Sequence, residues 1–268
     1  MTSRRAFLRS ILASIFGSIG VLLYLPLRYR ARTFEPPREA GVAGDRILLP
    51  LPRLDGSVSL ERSLANRRSI REYTSSPITL DELSQVLWAA YGITEVRYGF
   101  KTTPSAGATY PLEVYAVVDP YGVAFEGGYL EPGSYKYEPH SHSIVLVKGG
   151  DLSRSLYEAA LEQDWVLEAP VNIVITAVFE RTTSRYGERG VRYVWIEVGH
   201  AGQNIYLQAT SMGLATVAIG AFHDDIVREI IGAPPNEDPL YIMPLARPTR
   251  RYILDEDELR RYIASRRG

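Results

Sequence analysis

Three guanidinium groups and a hydroxyl fall within five residues at Arg67-Arg68-Ser69-Ile70-Arg71. Guanidinium forks match phosphate oxygens with charged, often bidentate hydrogen bonds, and a serine adds a further donor. The same five residues would equally make a solvated basic face with ordinary surface ion pairs. A second segment, Pro104-Ser105-Ala106-Gly107-Ala108-Thr109-Tyr110-Pro111, is a run of mostly small residues between a helix-like stretch and a strand-like one. Small side chains let the backbone approach a flat ring, whose edges its N–H and C=O groups can bond. Taken alone, the run also reads as a tight turn. Together, in a chain without cysteine, the two segments point to an anionic, redox-active cofactor.

Two further segments could contribute. Glu197-Val198-Gly199-His200-Ala201-Gly202-Gln203-Asn204 lies within a stretch of helical length. Gly199, Ala201 and Gly202 make a small patch open to close approach by a helix or a cofactor. Gln203 and Asn204 are amides in largely apolar surroundings, suited either to a ligand or to a subunit contact. His200 reads first as a packing residue. Ile219-Gly220-Ala221-Phe222 comes after a strand candidate, where the Gly220 N–H can be presented to a ligand edge and stabilise arriving electron density. Tyr110 and Tyr186 are candidate proton donors or substrate contacts. Asp224 and Asp225 read as caps of the next helix.

These segments need elements to hold them. Thr79-Leu80-Asp81-Glu82 is a capping box, with Leu83, Val86, Leu87 and Ala90 at helical spacing behind it and Gly92 as the stop. Residues 59–66 form a short helix leading into the arginine cluster. A strand is expected over 112–118. Gly, Pro and Tyr make hairpin or turn structure over 127–142, with a strand over 143–148 beyond it. Asp151 caps a helix carrying Leu152, Leu156, Ala159 and Ala160. The β-branched run 171–179 reads as an inner strand. A helix over 195–212 ends at Gly213, strands are expected at 214–219 and 240–245, and a charged helix spans 255–265. Helices and strands alternate without regular βαβ spacing. This favours an α+β layered fold, with a central mainly antiparallel sheet flanked by helices, over a doubly wound one. No Gly-x-Gly-x-x-Gly stands after an early strand.

Composition narrows the function. The chain has 268 residues, enough for one sizeable core. With no Cys, structural disulfides, thiolate catalysis and cysteine-ligated metals are excluded, and the 4 His make no metal-binding spacing, so no metal site is expected. Six of the 30 basic residues precede the first acid, Glu35, leaving 24 basic against 31 acidic residues beyond them. That acidic body makes nucleic acid an unsuitable partner. A nucleophile-elbow Gly-x-Ser-x-Gly is absent, against a serine hydrolase.

The N-terminus has targeting architecture. Ser3-Arg4-Arg5-Ala6-Phe7-Leu8-Arg9 precedes a mostly apolar run over residues 11–27. The arrangement resembles a twin-arginine export signal at Arg4, Arg5, Phe7 and Leu8. No Ala-x-Ala cleavage site comes after it, so an uncleaved anchor is the companion reading, with membrane contact through this segment. Residues 1–32 are therefore read as signal or anchor and 33–57, rich in Pro and Gly, as a linker or arm. Residues 58–254 are read as the functional domain and 255–268 as a C-terminal helix or tail.

The order and separation of these motifs resemble the nitroreductase-like flavin enzymes and, within them, the SagB-type dehydrogenases, which include peptide azoline oxidases. The resemblance covers about residues 60–250. It is carried by the segments at 67–71, 104–113, 199–204, 213–214 and 219–222. It implies bound flavin mononucleotide (FMN) in a homodimer, with the cofactor near the subunit interface. Arg67 and Arg71 would hold ribityl or phosphate oxygens, with Arg68 and Ser69 at the polar edge. Pro104, Ser105, Ala106 and Gly107 would line the ring, with Gln203, Asn204 and Ile219 close by and the Gly220 N–H at the reactive nitrogen. A basic residue among Arg247, Arg250 and Arg251 would join the phosphate site. Ala246 stands where the family commonly has Gly. Where azoline oxidases carry a catalytic Lys-Tyr pair, this chain has Arg185-Tyr186, and arginine is a poor proton acceptor. The implied activity is an FMN-dependent, two-electron or hydride transfer in two half-reactions, on a small molecule or peptide or with a redox partner. An inactive flavin-binding or structural protein and a peptide azoline oxidase are the alternatives.

Overall fold

A computed structural model describes residues 46–267. The N-terminal signal or anchor reading, over residues 1–32, lies outside the described residues. The first elements are β1 (Arg46–Leu48), α1 (Leu60–Asn66), β2 (Ile78–Thr79), α2 (Leu80–Tyr91), β3 (Ile93–Glu95) and β4 (Phe100–Lys101). Next come β5 (Leu112–Val118), β6 (Val123–Phe125), β7 (Gly128–Tyr129), β8 (Gly133–Glu138), β9 (Ser143–Gly149), α3 (Ser153–Ala159) and α4 (Asp164–Leu167). The last are β10 (Val171–Ala177), α5 (Glu180–Tyr186), α6 (Arg189–Met212), β11 (Ala215–Thr216), α7 (Asp224–Ile231), β12 (Asp238–Ala246) and α8 (Glu256–Ala264).

Seven strands form the main sheet in the order β1-β9-β8-β5-β10-β12-β11, and every neighbouring pair is antiparallel. The β-branched run of β10 is buried along its whole length between β5 and β12, as an inner strand requires. Alternation along β5 splits the core in two. Leu112, Val114 and Ala116 face Leu83, Val86 and Leu87 of α2 and Val198, Ala201 and Ile205 of α6. Tyr115 and Val117 face the opposite layer, with Leu156 of α3 and Val227 and Ile231 of α7. Each such side chain removed from water contributes about 1.5–3 kcal/mol. The fold is therefore α+β, a sheet flanked by helices on both faces. A small mixed sheet, β2-β6-β7, and the β3–β4 ribbon lie outside it.

The longest helix, α6, reaches both ends of the candidate site. It begins six residues before the expected start and ends where Gly213 takes a left-handed conformation (φ 74°). Gly202 faces the sheet, where an added Cβ would lie 3.3 Å from the Tyr241 ring, so the absence of a side chain there lets α6 pack closely on β12. Thr79 and Glu82 make the expected capping box of α2. The 33–57 arm is not wholly irregular: its residues 46–48 are β1, paired with β9 at the sheet edge. The strand expected over 214–219 is shorter, two residues of β11 plus an isolated Ile219–Ile242 bridge.

Candidate functional site

The arginine segment leaves α1 and runs beside β11, where the Ile70 N–H bonds the Thr216 carbonyl (3.1 Å). Tyr206 of α6 ties it to the segment around Gly220. The Tyr206 hydroxyl lies 2.9 Å from Ser69 Oγ and accepts the Ala218 N–H at 2.8 Å, while the Arg67 guanidinium sits 5.2 Å from its ring centre. Ala218 immediately precedes Ile219 and Gly220, so one side chain joins residues 67–69 to the exposed Gly220 backbone. An added Cβ at Gly220 would meet only Tyr241, at 3.9 Å.

The three arginines are not equivalent. Arg68 folds back on Tyr252 (3.7 Å) and donates to the Arg67 carbonyl at 2.7 Å. Arg71 lies 5.2 Å from the Trp165 ring centre. Stacking uses the flat face of a guanidinium and leaves its in-plane N–H groups to face an anion. Two buried polar atoms of the same patch, Trp165 Nε1 and Thr216 Oγ1, have no hydrogen-bond partner. Cationic forks, an open glycine and these unsatisfied polar atoms fit a phosphate-bearing group. Arg247 is committed elsewhere: it donates to the Pro77 carbonyl (3.1 Å) and pairs with Glu82 (2.8 Å). Arg250 is exposed. Ala246, fully buried beside Tyr73 and Ala169, uses its methyl group in a small core.

The small-residue segment is built differently. Ala106–Ala108 form one 3-10 turn with Gly107 at φ 60°. Ala108 (φ 53°) and Tyr110 (φ 45°) also take left-handed conformations, which non-glycine residues hold only when their surroundings over-determine them. Here they do. Tyr110 N–H bonds Ser105 Oγ (2.9 Å), Thr109 Oγ1 meets Thr182 Oγ1 of α5 (2.8 Å), and Arg185 donates to the Gly107 carbonyl (2.8 Å). Asn204 of α6 donates to Thr103 Oγ1 (3.1 Å), just ahead of Pro104. An added Cβ on Gly107 would strike the Tyr186 hydroxyl and lie 2.8 Å from Arg185 Nη1. Tyr186 thus stands over the loop, whereas the Tyr110 hydroxyl is turned inward to accept the Lys101 N–H (3.2 Å), and burial raises its pKa. Gln203 is exposed on α6.

From sequence alone, neither Glu197 nor Tyr206 carries a role of its own. Glu197 is buried (2% exposed) and accepts from Tyr91 (2.7 Å), and the nearby Ser105 hydroxyl favours its ionised form. Its signal was available: it is the sole acidic residue between Glu188 and Asp224. Tyr206 had none, because nothing local marks a tyrosine that bridges two distant segments.

The structure therefore gathers the predicted residues into two groups. One holds residues 67–71, 219 and 220; the other holds 104–107, 110, 186 and 204. Asn204 and Tyr206, which anchor one group each, project about 200° apart around α6. A cavity of about 770 Å³ between the 53–60 segment, α2 and α6 is lined by Gln85, Trp88, Thr102, Asn204 and Gln208, and includes neither group's ligand-facing backbone. Among the described residues no cluster of His, Cys, Asp or Glu is arranged to hold a metal ion, and no helix is long and apolar enough to cross a membrane.

Known proteins share this plan. The profile of the family described as "Nitroreductase family" matches residues 64–247. A protein of Methanocaldococcus jannaschii described as a nitroreductase is 51% identical over 205 residues, covering 76% of this chain and 98% of its own. The trifolitoxin operon protein TfxC of Rhizobium leguminosarum bv. trifolii is 27% identical over 221 residues, 77% of this chain and 60% of that protein. A crystal structure described as a nitroreductase from Ralstonia eutropha superposes with a TM-score of 0.66 at 27% identity, covering 79% of this chain and 93% of that one.

Proposed function

The chain belongs to the nitroreductase family, and we propose that it is an FMN-dependent oxidoreductase. The observation that carries this reading is the pair of guanidinium groups, Arg67 and Arg71, each 5.2 Å from an aromatic ring centre, Tyr206 and Trp165, on a segment tied through Tyr206 to Gly220. Arg67 and Arg71 hold the phosphate and ribityl oxygens, with Arg250 as the further cation. Ser69 and Arg68 border them. Gly220 offers its N–H to the electron-accepting edge, Ile219 fixes that strand end, and residues 104–107 form the surface against which the ring lies. Bound FMN supplies two-electron chemistry, passing a hydride or its equivalent from a donor to an acceptor in a ping-pong cycle. The protein positions and polarises; Tyr186, over the loop, is the side chain best placed to touch substrate.

The two groups complete one another across a homodimer. Their anchors leave α6 on different sides, and α6 presents the exposed apolar residues Trp195 and Ile196 together with Gly199 and Gln203. Peptide azoline oxidation, implied by the sequence resemblance, is the second reading, and the similarity to a trifolitoxin operon protein keeps it open. Arg185 weighs against it, being bonded to the Gly107 carbonyl and unable to accept a proton at neutral pH. The N-terminal segment exports or anchors the body.

The test is the visible spectrum of the full-length protein and the mass of what it releases on denaturation. A yellow protein releasing FMN is expected, bleached by a soluble reductant without oxygen and recoloured by an acceptor. Replacing Arg67 and Arg71 together by Ala should weaken FMN binding by about 100-fold or more, since each removes charge-assisted hydrogen bonds. Unchanged occupancy in that variant defeats the assignment. Bleaching by none of a broad donor set would leave a flavin-binding protein without turnover.

A further inference from the structure

Behind the 104–107 loop, two backbone N–H groups bond hydroxyls that act on one carboxyl group. The Tyr110 N–H bonds Ser105 Oγ (2.9 Å), and the Ser105 hydroxyl favours the ionised form of Glu197. The Leu112 N–H bonds the Tyr91 hydroxyl (3.2 Å), which donates to Glu197 Oε1 (2.7 Å). Glu197 therefore stands at the convergence of both ends of the turn, from α6, the element that also fixes Thr103 through Asn204. We propose that Glu197 is the positioning residue of the ring-binding loop: its ionised carboxylate, by accepting from Tyr91 and drawing on the neighbouring Ser105 hydroxyl, holds residues 104–112 in the shape that binds flavin, and taking up a proton relaxes that shape.

The chemistry rests on the donor count. An ionised carboxylate only accepts, which suits two hydroxyl donors; a protonated one brings a donor of its own to a site already full of donors. Burial is the main influence on its titration and raises Glu197 to about 7, opposed by the hydrogen bonds from Tyr91 and Ser105 and by the Lys101 charge. The groups around it are Tyr91 on α2, Lys101 on β4 with its ammonium 3.9 Å from the Tyr91 ring centre, Ser105 and Tyr110 in the loop, and Glu113 on β5, which acts on Tyr91. Stability and affinity should then move in opposite directions. A carboxyl raised by burial from its ordinary value of 4.5 lowers fold stability as pH climbs from there to about 7. Flavin affinity climbs as the anchoring carboxylate forms, around pH 7, so at the upper end of that window the two run against each other. A residue with only a structural role would move both the same way.

This inference rests on the FMN reading, so the experiment separates the two. Dissociation constants of FMN and of riboflavin are measured by fluorescence on the full-length apoprotein from about pH 5.5 to about pH 8.5, for wild type, Glu197→Gln and Ser105→Ala. Riboflavin removes the titration of the phosphate near pH 6. The wild type should gain about tenfold in riboflavin affinity over that range, the worth of one charge-assisted hydrogen bond, and both variants should be flat at the weak, low-pH level. In parallel, exchange protection of the Tyr110 and Leu112 amides, corrected for intrinsic rates, should fall about tenfold in Glu197→Gln at about pH 8.5 and match wild type at about pH 5.5. A Glu197→Gln protein that keeps the wild-type pH dependence, or leaves both amides equally protected, overturns the proposal. Should wild type bind neither flavin at any pH, the FMN reading fails and the flavin role falls with it. Amide exchange would then still report whether Glu197 anchors the loop.

Discussion

The two halves of the candidate site are both anchored to one helix and are held by opposite means. Residues 67–71 are secured at the surface, by guanidinium groups lying on Tyr206, Tyr252 and Trp165 and by one phenol shared with residue 218. Residues 104–110 are secured from within, by Ser105, Glu197, Tyr91, Thr182 and Asn204. The contrast reflects the ligand each half would meet. A phosphate is found at long range by charge and gripped by donors that can adjust, so exposure costs little and long side chains serve. A flat ring is contacted by backbone, whose geometry must be set beforehand, so the conformational strain there is borne by a buried network. Changes on the first side should therefore read out in ligand affinity and salt dependence, and changes on the second in stability as well.

The largest departure is expected at Gly107. Alanine there would adopt φ 60° and place its Cβ 2.8 Å from Arg185 Nη1 and closer still to the Tyr186 hydroxyl. Left-handed backbone costs a non-glycine residue about 1–2 kcal/mol, and expelling Arg185 removes the hydrogen bond to the residue 107 carbonyl. A loss of about 2–3 kcal/mol in urea unfolding, with weakened flavin binding, is the outcome that fits. A variant as stable as wild type would mean the loop is not strained against its neighbours, and the contrast between the halves would collapse.

Tyr206→Phe should strike the other half. It removes the bond to Ser69 and the acceptor for the Ala218 N–H while leaving the ring beneath Arg67. Stability should fall by about 1–2 kcal/mol, the range for an orphaned, partly buried donor. FMN affinity should fall about tenfold through residues 67–69 and 220 together, and protection of the Tyr110 amide should be untouched. Loosening of residues 104–110 in this variant would show that α6 couples the halves rather than separating them.

Legibility from sequence divides along the same line. The capping box, the inner strand and the glycine stop of α6 were legible because propensity, burial period and cap chemistry act within a few residues. The arginine and small-residue segments were legible as motifs, because their donor chemistry lies in consecutive residues. Their grouping was not. Tyr206 and Glu197 act across 137 and 106 residues of sequence, and such pairings are fixed by which face of α6 meets which element. The inward turn of Tyr110 was also hidden, since a positive φ at a tyrosine is imposed by its surroundings and not by its side chain. Likewise β1 is too short to show a period and exists because β9 offers an edge.

The smallest effect discriminates most finely. Arg247 and Arg250 were indistinguishable by type and position, yet the fold uses Arg247 to brace α2, pairing it with the capping-box Glu82 and the Pro77 carbonyl. Both partners are partly exposed, so solvent discounts the pair to about 0.5–1 kcal/mol. Arg247→Ala should lower the urea midpoint slightly and leave FMN affinity within about twofold of wild type, because the guanidinium lost was holding Glu82. Arg250→Ala should leave stability alone and weaken FMN several-fold, with a shallower dependence on salt. The opposite pattern, affinity lost at 247 and kept at 250, would mean that Arg247 exchanges Glu82 for phosphate when the cofactor arrives. The surface half of the site would then be assembled by its ligand, and only the buried half would be ready in advance.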